Sequence, residues 1–122
     1  MSFWFLIMAA ALSLLGAFFH GVIGGRLYMQ NINSTEMESL TKSLSLVSWH
    51  VFTIFLLVST FTFGYLAYYP EVSSVAYAII AINLLGAALF IVLGLGNHRI
   101  LLKMPGAYLM GGTALLAWLG VG

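Results

Sequence analysis

Two histidines stand inside uncharged, apolar runs. His20 lies in GAFFHGVIGGR, near the end of a stretch from Met1 to Gly25 that holds no Asp, Glu, Lys or Arg. His50 lies in SLSLVSWHVFTIF, which leads from Lys42 into a second uncharged run. The third, His98, stands beside Arg99. Imidazole ligates metals and haem, relays protons and changes charge near neutral pH. Other chemistry lacks its usual groups. There is no cysteine, which excludes a thiolate nucleophile and Cys-based zinc or iron–sulfur sites. No carboxylate falls within an apolar run, and there is no HExxH, no phosphate loop and no Ser/His/Asp set. The sequence leans against an enzyme, since no catalytic set argues for one, and leaves a membrane enzyme acting on a lipid as an open alternative.

The elements that carry the histidines follow from composition. The chain has 122 residues, 62% hydrophobic and 6% charged, with a mean hydropathy of +1.08. A soluble domain carries about 25% charged residues, so lipid is the expected solvent. A net charge of +1 with no basic stripe argues against nucleic acid as a partner. The charges divide the chain into uncharged runs at about 2–25, 43–69, 72–97 and 104–122. A bilayer core of about 30 Å needs about 20 helical residues, which the last run only just supplies. Barrel strands would be about ten residues long with strict alternation, and a backbone in lipid must satisfy its own hydrogen bonds. The expected fold is therefore all-α: a single-domain, antiparallel up-down, four-helix transmembrane bundle.

Orientation follows from the basic residues. Arg26, Lys42, Arg99 and Lys103 fall in the connections 26–42 and 98–103, which four spans place on one side. Lys and Arg favour the cytoplasmic side. Both termini are then external, and the expected location is a bacterial inner membrane. Tyr65, Tyr68, Tyr69 and Tyr77 form an aromatic belt around the outer turn YYPEVSS, where Pro70 ends the second helix. His20 and His50 then lie about 9 and 12 Å inside the basic surface at 1.5 Å per residue.

Each run carries a small or polar stripe at helical spacing. The stripes are Ala9/Ser13/Gly16/His20/Gly24, His50/Thr53/Leu57/Thr60/Gly64, Asn83/Gly86/Phe90/Gly94/Asn97 and Tyr108/Gly111/Leu115/Trp118/Gly122. Small residues let helices pack closely in lipid, and polar ones bond between helices. Thr60 or Thr113 is the expected partner of Asn83. In the connection RLYMQNINSTEMESLTK, Thr35 and Glu38 fit a capping box that starts helix two near Glu36. Pro105 marks the start of helix four.

An ionisable residue in a membrane is a functional-site hypothesis by default. The expected role is that of a small accessory, assembly or small-solute transport protein. Its polar pocket would be built on His20, His50, Thr53 and Asn83. One alternative is a b-type haem carrier with His20 and His50 as axial ligands. Another is a divalent-metal site that recruits His98 or Glu38, since zinc generally takes three or four protein ligands. The ordinary alternative is a neutral imidazole bonded to a backbone carbonyl or serine. Expected partners are the bilayer and either a second copy or a larger membrane complex.

Overall fold

The protein is described here from a computed structural model, which covers residues 2–122. These residues form five α-helices and three short irregular helical segments, with no strand among them. Helix α1 is Ser2–Phe18 and α2 is Gly25–Asn33. A π-helical turn, Phe19–Gly24, joins them, so that Ser2–Asn33 runs as one helix of 32 residues. Then come α3 (Ser39–Tyr68), α4 (Ala76–Leu95) and α5 (Gly106–Val121). Three of the helical stretches, Ser2–Asn33, Ser39–Tyr68 and Pro70–Leu95, are long and apolar enough to cross a membrane. Helix α5 is equally apolar but has only 16 residues.

Local chemistry sets the ends. The hydroxyls of Ser34 and Thr35 donate back to the carbonyls of Asn31 and Ile32 and so close α2. Thr35 Oγ1 also accepts from the Met37 N–H at 3.4 Å, but residues 36–38 are non-helical and the expected capping box does not form. Helix α3 begins at Ser39 with Glu38 at its N-cap and no side-chain cap bond, rather than near Glu36. Lys42 Nζ donates to the Asn33 carbonyl at 3.1 Å and pins the hairpin between α2 and α3. Helix α3 stops at Tyr68 because Tyr69 precedes Pro70, and a residue before proline is pushed out of the α region; Tyr69 has φ −132° and ψ 68°. A 3₁₀ turn, Pro70–Val75, leads into α4, and a second, Arg99–Lys103, leads towards α5. Pro105 is the N-cap of α5.

The α1–α2 rod lies between α3 and α5, and α4 packs on the far side of α5. Leu6, Ala9 and Ala10 of α1 join Phe63, Leu66 and Ala67 of α3, Ala76 and Ile80 of α4, and Ala114 and Ala117 of α5 in one buried cluster. This cluster fills the half that holds the Tyr68–Val75 connection and the C-terminal end of α5, where Gly120 packs against Leu6. Phe3 meets Tyr68 edge-to-face at the same end. Helices α3 and α4 make few contacts with each other, and towards the basic end the helices leave a cavity.

Two of the expected faces are displaced. In α3 the buried line is Leu56, Ser59, Phe63 and Leu66, whereas Leu57 is exposed and Gly64 faces open space. In α5 the buried line is Ala107, Met110, Thr113, Ala114, Ala117 and Gly120, while Tyr108, Leu115 and Trp118 point outwards. The α1 stripe is buried at Ala9, Ser13 and Gly16, and the α4 stripe at Asn83 and Gly94.

Candidate functional site: a cavity beside His20

His20 sits in the π-helical turn, the widest turn of the first helix. Such turns are rare and recur at functional sites. His20 and Trp49 clasp α1 to α3 reciprocally. The His20 Nε2 is 2.8 Å from the Trp49 carbonyl, and the Trp49 indole N–H donates to the His20 carbonyl at 2.8 Å. The two rings also stack, with centroids 4.1 Å apart and planes 8° from parallel. Tyr28 stacks on the same indole at 4.3 Å, and Phe52 meets the imidazole edge-on.

Glycines allow this approach. A Cβ at Gly21 would stand 2.7 Å from Thr53 Cγ2, and one at Gly24 would stand 3.0 Å from the Trp49 ring. The first is shorter than carbon atoms tolerate, and the second would require the indole to give by a few tenths of an ångström. The turn therefore needs glycine where α3 presses against it.

Below the clasp lies a partly open cavity of about 200 Å³. Its wall runs from Ser13, Gly16 and His20 of the first helix, over Trp49, Phe52 and Leu56 of α3, to Phe90 of α4. Met104, Pro105 and α5, through Leu109, Met110 and Thr113, complete it. The wall is mainly apolar and its hydroxyls are engaged: Ser13 Oγ donates to the Leu56 carbonyl at 2.9 Å and Thr113 Oγ1 to the Leu109 carbonyl at 2.8 Å.

The structure separates the remaining candidate residues. His50 lies in the same helix–helix seam, facing Gly25, with its Nδ1 3.3 Å from Thr53 Oγ1, but it is not part of the cavity wall. Thr53 packs against Gly21. Asn83 is fully buried, yet its amide donates only to the Ile79 carbonyl one turn back, and its Oδ1 has no partner among the described residues. The expected bond to a threonine is absent because Thr60 and Thr113 each donate to their own helix backbone. His98 is exposed in the connection to α5. Among the described residues no three His, Asp or Glu side chains come together.

A haem held between His20 and His50 does not suit this arrangement. The His20 Nε2 is tied to a carbonyl, the face of its ring is covered by the Trp49 indole, and His50 lies outside the cavity. Trp49 and Tyr28 are the residues that sequence reasoning overlooked. The available signal was an indole immediately before His50, opposite a helix segment with glycines at 21, 24 and 25.

Comparison with known protein families, curated proteins and solved structures finds no match for this chain.

Proposed function

We propose that this chain is an integral membrane protein of a bacterial inner membrane that holds a small, mainly apolar molecule in the cavity beside His20. Its helices cross the bilayer, its basic connections lie at the cytoplasmic surface and its termini lie outside. The role is accessory, retaining a ligand rather than conducting one. The observation that carries this reading is the contrast between the two halves. At the outer end Leu6, Phe63 and Leu66 are at most 1% exposed, which leaves no path through. At the basic end lies an apolar cavity with one imidazole on its wall.

Cavities of this kind bind apolar molecules: one of about 150 Å³ lined by aliphatic and aromatic side chains takes benzene. Purified protein in lipid nanodiscs should bind butylbenzene saturably, above the partitioning seen in protein-free discs. A Cβ at Gly16 would meet Leu56 and Leu109 at ordinary distances of 3.9 and 4.0 Å. Gly16→Ala should therefore retain binding, and Gly16→Leu, which fills the cavity, should abolish it. Equal butylbenzene binding by the wild type and Gly16→Leu would refute the assignment.

A further inference from the structure

We infer that the molecule held beside His20 carries a hydroxyl group that it donates to His20 Nδ1. This rests on the cavity reading above and specifies the class of ligand. A carbonyl oxygen cannot donate, so the 2.8 Å contact between His20 Nε2 and the Trp49 carbonyl fixes the imidazole proton on Nε2. In the neutral ring, Nδ1 is then a bare acceptor. No donor reaches it among the described residues. Nor is it sealed away, because the single buried side-chain nitrogen or oxygen without a partner is Asn83 Oδ1.

The side-chain donors elsewhere on the wall are already engaged. The Ser13 and Thr113 hydroxyls and the Trp49 indole N–H are each engaged with a backbone carbonyl. The side chains of the wall thus offer one acceptor, His20 Nδ1, and no free donor. The acceptor favours an alcohol or phenol on an apolar body over the ether of the same shape. At about 200 Å³ the enclosed part is somewhat larger than a benzene ring.

The test uses 4-propylphenol, its methyl ether 4-propylanisole, and butylbenzene. Each is titrated into protein in nanodiscs at about pH 8, above the ordinary imidazole pKa of about 6.5, and corrected for partitioning into protein-free discs. The phenol should bind about tenfold more tightly than the ether, the gain expected of one hydrogen bond. His20→Phe should erase that difference. Equal binding of phenol and ether, or a phenol advantage that survives in His20→Phe, would overturn the hydroxyl inference and leave the cavity assignment intact. Failure of all three probes would overturn both.

The His20→Phe variant also loses one half of the clasp. A second readout on the intact chain therefore uses ¹⁵N-histidine-labelled protein, with the His20 signals assigned by His50→Gln and His98→Gln. The His20 Nδ1 resonance should move on adding the phenol and stay in place with the ether. An unmoved resonance at saturating phenol would reject the proposal.

Discussion

At the scale of single residues, the seam between the first helix and α3 depends on a few close approaches. Trp49→Phe keeps a ring against His20 but removes the indole donor, and the net loss of one hydrogen bond is about 1 kcal/mol. Denaturant unfolding in detergent should show a destabilisation of that order. Two glycines distinguish packing from propensity. Gly21→Ala places a methyl 2.7 Å from Thr53 Cγ2, whereas Gly64 faces open space. The first substitution should destabilise the protein by about 1–3 kcal/mol. The second should be neutral, or stabilising by up to about 1 kcal/mol through helix propensity. Asn83→Leu should not destabilise, because it removes a buried Oδ1 that has no partner among the described residues. A marked fall in melting temperature would indicate that this oxygen is satisfied in the membrane. The position of His20 on an inward face was legible from the small residues around it. Its partner was not, because the bond goes to a backbone carbonyl, a group every residue carries.

At the scale of elements, the π-helical turn Phe19–Gly24 accommodates one residue more than ordinary winding would. Deleting one residue within it should restore α-helical winding and leave α1 and α2 nearly in phase, because the wider turn already absorbs the extra residue. Leu6 and Ser13 should then keep their buried positions. Monodisperse folded protein on size-exclusion chromatography is the expected result, and its loss would show that folding needs the widened turn itself. The existence of the helices was legible from run length and charge, and Pro70 and Pro105 marked boundaries correctly. The inward faces of α3 and α5 were not. In a nearly uniform apolar helix the contrast between polar and apolar residues vanishes, and the useful contrast is size. In α5 the buried side holds Ala107, Ala114, Ala117 and Gly120, and the exposed side holds Tyr108, Leu115 and Trp118. The start of α3 was misread because Thr35 stays with the end of α2 and residues 36–38 remain non-helical, so that α3 begins only at Ser39.

At the scale of the whole molecule, the helices differ in reach. The first, of 32 residues, and α3, of 30, are roughly 48 and 45 Å long, whereas α4 and α5, of 20 and 16, are roughly 30 and 24 Å. Because α5 falls short of a bilayer core of about 30 Å, stability should be greater in short-chain phosphatidylcholine than in long-chain lipid. Unfolding in vesicles of graded acyl length measures this, and a flat response would place α5 away from the bilayer core. The arrangement of the basic residues predicts that a reporter active only in the cytoplasm, fused after Gly122, is silent. Strong activity would reverse the orientation.

The buried cluster at the Tyr68–Val75 end has a dynamic consequence. Ala9, Ala10, Ala67, Ala76, Ala114 and Ala117 make up most of it, and alanine has no rotamer freedom to lose on ordering. The helices lock there at minimal entropic cost and with little slack. The basic end relies instead on flexible side chains such as Met104, Leu109 and Met110 around an open space. The molecule should therefore behave as tongs with a stiff pivot: amide exchange slowest around Leu6 and Leu66, and fastest where Phe52 and Phe90 flank the cavity.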